Sequence, residues 1–503
     1  ICKAAITAYL VVLSLLCVYG LHRYFLVLTY YRNRRNTPQL AGRFSDLPLI
    51  TVQLPMFNER FVARRVIEHA CRIEYPRDRL EIQVLDDSTD ETRGIVADAV
   101  AEMAAAGHPV VLLHRENRRG YKAGALAEGL KVARGAFVAI FDADFLPPAN
   151  ILLDTIHFFT SPDVGMVQCR WDHLNRDASM LTQAQAVLLD GHFVIEHAAR
   201  NRSGRYMSFN GTAGVWRREA IEDAGGWHLD TLTEDLDLSY RAQLRGWRFV
   251  FLPELTSPAE LPPEMNAFKA QQHRWTKGGV QTCVKLLPAV LRRAANWRIK
   301  VEAFFHLTSN LVYVLMVLLT LLIGPALFAK VIIGEPMRWW QIGLEYLLFF
   351  VGTGSALAFY IISQRETAHG WFDSVRHIPA LMALGIGIAF NNAVAAIEGL
   401  FGRTGEFVRT PKFGDDAGAS GAALRQRMSG LKLRGSWQAY AELAIAFYLT
   451  ACLIALCCFD HWIERVSAAL PFLAVFISGY LYVATQTLYS QWLAKRRAAA
   501  ARA

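Results

Sequence analysis

The sequence lacks the cysteine patterns that mark disulfide scaffolds and zinc modules. Its eight cysteines among 503 residues are scattered over charged and apolar segments alike. None shows C-x-x-C spacing or stands with a nearby histidine in a zinc-binding pattern. The sequence therefore indicates neither a small disulfide-bonded domain nor a small zinc-binding domain, and we expect the cysteines to be reduced.

Charged residues are also scarce. Only 19% of the chain is charged and 53% is hydrophobic, which is too apolar for one soluble domain. The same charged fraction is too high for a protein that lies wholly in lipid. The charges concentrate between about residues 32 and 300, and long apolar runs lie before and after this part. The composition therefore predicts a soluble middle domain with membrane-spanning flanks.

The excess of basic residues does not point to nucleic acid. The formal net charge is +9, but the excess lies in clusters beside the apolar runs. Basic residues that flank a span stay in the cytosol, so such clusters are topology signals. We expect the lipid bilayer, and no nucleic acid, as a partner. The clusters are Arg32, Arg34 and Arg35 after the first run and Lys495, Arg496 and Arg497 in the tail.

The first apolar run covers about residues 5–30 and is followed by Y-R-N-R-R. This order places the middle domain in the cytosol and the N-terminus outside. A cleaved signal peptide is the alternative, but the run is long, its basic cluster is on the wrong side, and no small-residue cleavage site is apparent. Residues 1–36 are therefore predicted to be a transmembrane helix with a basic flank.

Five more apolar runs come after the middle domain, and they cannot all be spans. Residues 401–437 and the tail are both basic, so both should be cytosolic, and an even number of crossings must separate the middle domain from residues 401–437. One of the three intervening runs must stay on one side. The run 378–400 is the weakest, because it holds four glycine or asparagine interruptions and Glu398. It is better suited to an interfacial helix. The interruptions are Gly385, Gly387, Asn391 and Asn392.

Five spans then remain, with the N-terminus outside and the C-terminus inside. The predicted location is the plasma (bacterial inner) membrane. The predicted parts of the chain after the first helix are a cytosolic catalytic domain ending in interfacial helices (37–300), two transmembrane helices (301–377), an interfacial helix (378–400), a cytosolic loop (401–437), and two transmembrane helices with a basic cytosolic tail (438–503).

Within the middle domain, short β-rich runs alternate with helical runs. This alternation predicts a mostly parallel sheet with helices on both faces. Ligands bind such sheets at the carboxyl ends of the strands. Here those ends are acidic, since Asp86 and Asp87 close one strand and Asp142 and Asp144 close another. The predicted strands are LPLITVQLP, LEIQVLDDS, PVVLLHR and AFVAIFDAD, and the predicted helices are residues 58–72, 90–105 and 121–133.

The D-A-D motif is a candidate metal site, because carboxylates spaced two apart at a strand end can converge on a hard cation that also binds a diphosphate. Alone, such a pair is equally a helix cap or turn. Two motifs further along the chain add weight to it, namely T-E-D at residues 233–235 and Q-Q-H-R-W at residues 271–275. The order and spacing of these motifs carry more information than any one of them.

This series resembles glycosyltransferase family 2, specifically the processive cellulose-synthase superfamily with its D, D-x-D, T-E-D and Q-x-x-R-W motifs. Five segments are most similar to the cellulose-synthase-like A and C groups. They are QLPMFNE, IQVLDDSTDET, GYKAGAL, FNGTAGVWRREAIEDAGGW and LPPEMNAFKAQQHRW. Those groups include β-mannan, glucomannan and β-glucan synthases. The resemblance is dense over residues 48–285. It implies an α/β GT-A domain with a Rossmann-like mixed sheet, fused to an α-helical transmembrane bundle.

The resemblance also implies a donor site. It places Asp86 and Asp87 on the nucleotide, where carboxylates accept hydrogen bonds from the base or the ribose. Asp142 and Asp144 would hold Mg²⁺ or Mn²⁺ against the diphosphate, so that charge on the leaving group is neutralised. Judged by composition alone, Lys122 could equally be a solvated lysine. The side chains expected at the donor phosphates are Lys122, Gln271 and Arg274.

Asp235, with Glu234 beside it, is the expected catalytic carboxylate. An inverting transfer needs one base for the acceptor hydroxyl and no second carboxylate, because the diphosphate already leaves easily. Without the family pattern, Asp235 would be an ordinary acid at a helix start. Trp275 offers a face on which the acceptor sugar stacks, although a lone tryptophan more often packs in a core. Three small polar residues suit a wall of the acceptor or donor-sugar pocket, and we assign them to acceptor binding: Asn210, Gly211 and Thr212.

The segment GRTGEFVRTPKFG resembles the F-x-V-T-x-K gating loop of cellulose synthases. Phe407, Thr410 and Lys412 match the F, T and K, but Arg409 stands where that loop has valine. The resemblance implies a lid that closes over the nucleotide and excludes water. A flexible cytosolic loop without that role is the alternative.

Taken together, these features predict a membrane-embedded, inverting, processive β-glycosyltransferase. It would polymerise hexose from UDP-glucose or GDP-mannose into a β-linked, by default β-1,4, polysaccharide and translocate it. Its partners would be the nucleotide-sugar donor, the growing chain, the bilayer and accessory envelope subunits. One alternative is a non-processive family 2 enzyme that adds a sugar to a lipid. A transporter or receptor with an inactive α/β domain would show broken acid motifs, and all are intact here.

Overall fold

Strands and helices alternate through residues 50–259, as the sequence predicts. The eight cysteines are all unpaired. The computed structural model describes residues 2–294, 296–333, 339–367, 372, 375–402, 412, 414, 437–459, 463 and 469–500.

Seven strands form one mixed sheet: β1 (Ile50–Met56), β2 (Leu80–Asp86), β3 (Val110–His114), β4 (Phe137–Ile140), β5 (Val164–His173), β6 (Gly214–Arg217) and β7 (Arg248–Ala259). Their spatial order is β3-β2-β1-β4-β6-β5-β7. β6 runs antiparallel to both of its neighbours, and all other pairs are parallel. The predicted Rossmann-like mixed sheet is confirmed.

Helices cover both faces of the sheet and make up the rest of the described chain. The helices are α1 (Cys2–Asn33), α2 (Ala63–Cys71), α3 (Thr92–Ala105), α4 (Tyr121–Val132), α5 (Ile151–Ile156), α6 (Met180–Asp190), α7 (Ala198–Arg202), α8 (Arg218–Asp223), α9 (Glu234–Leu244), α10 (Met265–Arg293), α11 (Trp297–Thr308), α12 (Val312–Ile333), α13 (Trp339–Phe349), α14 (Ser355–Arg365), α15 (Ile378–Gly387), α16 (Ala389–Leu400), α17 (Trp437–Leu456) and α18 (Leu470–Ala500).

The alternation of side chains along a strand divides the core into two layers. Phe137 and Ala139 of β4 join a cluster with α2, α3 and α5 on one face. Val138 and Ile140 join a second cluster with α4, α8 and α9 on the other face. Successive strand side chains point to opposite faces, so a strand that is apolar throughout needs helices on both sides. The helices cover the two faces of the sheet and leave the ends of its strands uncovered.

The helix predicted from residue 58 begins later, at Ala63. Asn58 adopts a left-handed backbone conformation with φ of 55°, which does not continue a helix. Its backbone N–H donates to Ser88 Oγ at 2.8 Å, and its side-chain Oδ1 accepts from the N–H of Thr89 at 2.9 Å. These hydrogen bonds tie the end of β1 to the loop after β2.

Among the described residues, five helical segments outside the sheet domain are long and apolar enough to cross a membrane. A sixth crossing is counted if the pair α15 and α16, which are bent by 46° relative to each other, is one broken span. The chain is therefore an α/β domain joined to a set of membrane-capable helices, as predicted. The five segments are Cys2–Asn33, Trp297–Ile333, Gly343–Arg365, Trp437–Leu456 and Leu470–Leu493.

Glycine and asparagine within the bent pair serve close helix packing. A Cβ added to Gly387 would lie 2.3 Å from the carbonyl oxygen of Gly479 in α18, so a larger residue would force the helices apart. Asn391 and Asn392 are both buried, and Asn391 Nδ2 donates to the carbonyl of Lys269 in α10 at 3.2 Å. Gly387 and Asn391 interrupt the apolar run in the sequence, but in the structure they attach the bent pair to α18 and α10.

Candidate active site

A cavity of about 180 Å³ opens at the carboxyl ends of the strands. Its floor comes from the ends of β1, β5 and β7 and from the residues just after β2 and β4. The starts of α9 and α10 close its sides. The predicted site residues that line it are Asp87, Lys122, Asp142, Asp144, Asn210, Gly211, Glu234, Asp235, Gln271, Arg274, Trp275 and Lys412.

Two predicted residues are described but do not line the cavity, and two others are not described. Asp86 and Thr212 are fully buried and are not among the described residues that line the cavity. Phe407 and Thr410 lie outside the described residues. The motifs at the strand ends and in α9 and α10, far apart in the chain, therefore meet at one place.

The two aspartates that end β2 have different surroundings. Asp86 accepts a hydrogen bond from the N–H of Ser88 at 3.0 Å and lies 3.0 Å from His114 Nδ1. Asp87 faces the cavity and is held by both Nε and NH2 of Arg115, at 2.7 and 2.5 Å. Of the pair that the sequence assigns to the nucleotide, Asp87 alone is in a position to contact a ligand in this cavity.

Asp142 and Asp144 both face the cavity and are each paired with a lysine. Lys122 Nζ lies 2.5 Å from Asp142 Oδ1, and Lys412 Nζ bonds Asp144 Oδ2. The N–H of Asp142 donates to Thr212 Oγ1 at 2.9 Å, so Thr212 supports the loop from behind. Carboxylate oxygens spaced two residues apart at a strand end are ligands of the kind that Mg²⁺ or Mn²⁺ takes, and a cation bound there would replace the lysine contacts.

Lys122 links the acidic loop to the wall opposite. Its Nζ donates to the carbonyl of Gly211 at 2.8 Å. Burial lowers the pKa of Lys122, but Asp142 and Glu234 outweigh it and hold the pKa above its usual value. The ammonium therefore stays charged, as contact with a diphosphate requires.

Asp235 reaches the cavity from the first turn of α9. Its Oδ1 accepts a hydrogen bond from the N–H of Leu236 at 2.8 Å. A Cβ on Gly211, whose φ is 83°, would lie 3.0 Å from Asp235 Oδ2, so only glycine lets the two segments approach this closely. Burial and the neighbouring carboxylate of Glu234 raise the pKa of Asp235 to about 7. This value suits a group that accepts a proton near neutral pH.

The next acid in the same turn has a different role. Asp237 is fully buried and pairs with Arg241 at 2.6 Å and with Lys285 at 2.8 Å. His228 and Asp230 complete a group of three candidate metal ligands around it. The two basic side chains already supply positive charge there, so we interpret the group as an ion-pair cluster.

The sequence did not single out the polar groups at the end of β5. Trp171 and His173 both line the cavity, and the Trp171 ring lies 6.4 Å from the Trp275 ring, centroid to centroid. Trp171 Nε1 and His173 Nε2 are buried without a hydrogen-bond partner in the described part of the chain. Burial lowers the pKa of His173 to about 4, so its imidazole is neutral. The W-D-H motif at residues 171–173, at the end of a strand, is the sequence signal that could have identified these two residues.

A mixed sheet with acidic strand ends, a T-E-D helix start and a basic helix across the cavity defines the GT-A class of transferase. The mannosyltransferase PcManGT from Pyrobaculum calidifontis, solved in complex with GDP-Man and Mn²⁺, superposes with a TM-score of 0.51 at 22% identity. The superposition covers 78% of this chain and all of that one, and it supports the fold.

Sequence comparison identifies the family. The model described as glycosyltransferase-like family 2 matches residues 48–278. Probable glucomannan 4-beta-mannosyltransferase 9 of Oryza sativa is 34% identical over 442 residues, which cover 82% of this chain and 78% of that protein. Probable glucomannan 4-beta-mannosyltransferase 10 of Arabidopsis thaliana is 43% identical over 275 residues. That match covers 53% of this chain and spans about half (50%) of the Arabidopsis protein.

The chain belongs to glycosyltransferase family 2, in the cellulose-synthase-like branch to which the glucomannan 4-beta-mannosyltransferases belong.

Proposed function

We propose that this chain transfers mannose from GDP-mannose, with inversion, to the end of a β-1,4-linked glycan. The observation that carries the proposal is Asp235, a carboxylate with a raised pKa that lines the same cavity as Asp142 and Asp144. Its relatives are named as glucomannan 4-beta-mannosyltransferases, and the superposed PcManGT structure contains GDP-Man. These names favour mannose over the glucose alternative.

In the proposed reaction, Asp235 takes the proton from the acceptor hydroxyl as its oxygen attacks the anomeric carbon. A glycosidic C–O bond forms, and the bond from that carbon to the diphosphate oxygen breaks and leaves its electron pair on GDP. Lys122 and Arg274 hold the diphosphate by charge-assisted hydrogen bonds. Mg²⁺ or Mn²⁺ held by Asp142 and Asp144 would neutralise charge on the leaving group. Trp275 provides the stacking face for the acceptor.

The donor can be read from the nucleotide that the purified enzyme releases. Incubation with GDP-mannose and a β-1,4-mannan oligosaccharide should release GDP, and UDP-glucose under the same conditions should release little UDP. Both assays should stop when EDTA removes the divalent cation and recover when Mg²⁺ or Mn²⁺ is added back. Release of UDP in preference to GDP would overturn the choice of mannose but leave the proposed inverting transfer intact.

Transfer should slow as the pH falls through the pKa of Asp235. Only the ionised carboxylate accepts a proton, and a raised pKa means that protonation begins at higher pH. We therefore expect an acid limb near pH 7, rather than near the usual value of 3.8 for an aspartate, with about a tenfold loss per pH unit below it. Removing the neighbouring charge with Glu234→Gln should move the limb to lower pH. A wild-type limb near pH 4 contradicts this assignment.

We further propose that the enzyme is processive and moves its product across the membrane. The five membrane-capable helices and the attachment of α10, which carries Trp275, to the bent pair support a path from the site into the helices. The basic clusters after α1 and at the tail favour a cytosolic catalytic domain in a plasma membrane. Chromatography of labelled product measures chain length. Polymer supports the proposal, and singly glycosylated lipid alone supports the non-processive alternative.

The predicted lid remains a proposal, and two contacts support it. Lys412 lines the cavity and pairs with Asp144, and the N–H of Gly414 donates to Glu260 Oε2 at 3.2 Å. Glu260 also lines the cavity. Lys412 therefore reaches one of the two carboxylates proposed to hold the metal, and Gly414 contacts a second side chain of the cavity wall, as a lid would require.

A further inference from the structure

A histidine on a π-helical turn contacts the cavity wall from behind. Residues Gly191–His197 form a π-helix between α6 and α7, a conformation found mostly at functional sites. His192 Nε2 lies 2.9 Å from the side-chain Nδ2 of Asn210. Asn210 lines the cavity, whereas His192 is not among the described residues that do. The hydrogen bond to Asn210 is therefore a direct polar link between His192 and the cavity wall.

The second ring nitrogen of His192 faces the carboxylate of Glu196. Its Oε2 lies 3.2 Å from His192 Nδ1 and 3.4 Å from Arg200 NH1. Burial raises the pKa of Glu196, but Arg200 and His192 outweigh it and hold the pKa well below its usual range. An ionised carboxylate only accepts hydrogen bonds, so Nδ1 of the imidazole carries the hydrogen. Nε2 lies 2.9 Å from the Nδ2 amino group of Asn210, which only donates, so Nε2 accepts that hydrogen bond with its lone pair.

That lone pair decides which end of the Asn210 amide faces His192. Only the Nδ2 amino group can donate to it, so the carbonyl oxygen Oδ1 must turn the other way. Oδ1 is buried and has no hydrogen-bond partner in the described chain. An unpaired buried acceptor is unfavourable, and a hydroxyl group of a sugar bound in the adjoining cavity can supply the missing donor.

The network continues away from the cavity and anchors this arrangement. Arg200 Nε donates to Glu302 Oε1 at 2.9 Å, and Glu302 Oε2 lies 3.1 Å from His22 Nε2. Arg200 and Glu302 are both almost fully buried. His22 belongs to α1, so a continuous chain of polar side chains joins the wall of the cavity to the first apolar helix.

We propose that His192 is a positioning residue for the glycosyl acceptor. It holds the Asn210 amide so that Oδ1 accepts a hydrogen bond from a hydroxyl group of the acceptor sugar. The inference rests on the proposed function, because the acceptor is taken to be a sugar chain. His192 makes no proposed contact with the donor, so loss of the imidazole weakens acceptor binding and leaves donor binding unchanged.

Steady-state kinetics of His192→Leu, with mannotetraose as the acceptor and GDP-mannose as the donor, test this role. Loss of one neutral hydrogen bond should raise the acceptor KM by about three- to tenfold, with the donor KM unchanged. His192→Gln, whose amide can still accept from Asn210, should keep the acceptor KM close to that of the wild type. The matched control is His69→Leu in α2, which does not line the cavity and should change neither KM.

A double-mutant cycle separates positioning from general support of the fold. In an Asn210→Ala background, His192→Leu should have no further effect on the acceptor KM, because the amide that His192 is proposed to position is gone. An equal loss in both backgrounds, an unchanged acceptor KM, or a rise in donor KM of the same size would each overturn the proposal.

The proposed donor can fail without hiding this result. If the wild type releases UDP from UDP-glucose instead of GDP from GDP-mannose, the same cycle is measured with cellotetraose and UDP-glucose. Tryptophan fluorescence titrated with the two oligosaccharides gives acceptor affinity without turnover. A wild type that binds neither oligosaccharide overturns the His192 proposal, and donor-dependent nucleotide release then reports separately on the proposed function.

Discussion

Replacing Asp235 with asparagine should lower the rate of mannosyl transfer by about a thousandfold while GDP-mannose still binds. The carboxylate is the proposed acceptor of the proton, and general-base catalysis contributes about 10²- to 10⁴-fold. Asparagine keeps the shape and the hydrogen bond to Leu236 but does not take up a proton. Single-turnover assays measure transfer, and equilibrium binding of GDP-mannose measures the donor site separately.

Asp230→Asn is the matched control for this substitution. Asp230 is exposed, pairs with Lys285 at 2.7 Å and is not among the described residues that line the cavity. The same chemical change there should leave transfer within about twofold of the wild type, as for a surface ion pair. If Asp235→Asn kept a tenth or more of the wild-type rate, the base would have to be sought elsewhere in the cavity.

Replacing Glu442 with alanine should destabilise the folded protein by about 3–5 kcal/mol, because it leaves the ammonium of Lys269 buried without its partner. Lys269 Nζ bonds both carboxylate oxygens of Glu442, at 2.7 and 2.8 Å, and both side chains are buried. The pair joins α10 of the catalytic domain to α17, one of the membrane-capable helices. Thermal unfolding in detergent, followed by tryptophan fluorescence, measures the loss.

The double variant Lys269→Met/Glu442→Leu is the control for the stability experiment. Removing both charges together removes the cost of burying them, so the double variant should recover most or all of the stability that Glu442→Ala loses. An unfolding temperature for Glu442→Ala equal to that of the wild type would show that the pair contributes nothing to docking. Equal losses in the single and double variants would show that shape, not charge, matters there.

Much of the fold could be predicted from the sequence, because the local patterns of apolar residues agree with the burial seen in the structure. Apolar runs such as FVAI predict strands covered on both faces, and β4 is buried throughout. The helix that begins at Ala63 instead of Asn58 shows the limit. Its first turn is replaced by hydrogen bonds between Asn58 and a loop 30 residues away, and composition and spacing carry no record of such a contact.

The candidate active site could be predicted from the sequence for a different reason. Ordered acidic motifs at strand ends predict residues that converge, and Asp142, Asp144, Glu234 and Asp235 do line one cavity. The roles of adjacent acids were not readable in the same way. The sequence treats Asp86 and Asp87 alike, but the direction of each side chain and its nearest cation differ.

The sequence by itself determined the family, the alternation of strands and helices, the apolar segments and the set of candidate catalytic groups. These depend on residue type and on short-range periodicity, which the chain carries in full. Only the tertiary structure decided which of two neighbouring acids meets the cavity, which lysine balances each carboxylate, and that His192 stands behind Asn210. Those outcomes depend on distances between residues far apart in the chain, which are set when the helices and the sheet pack together.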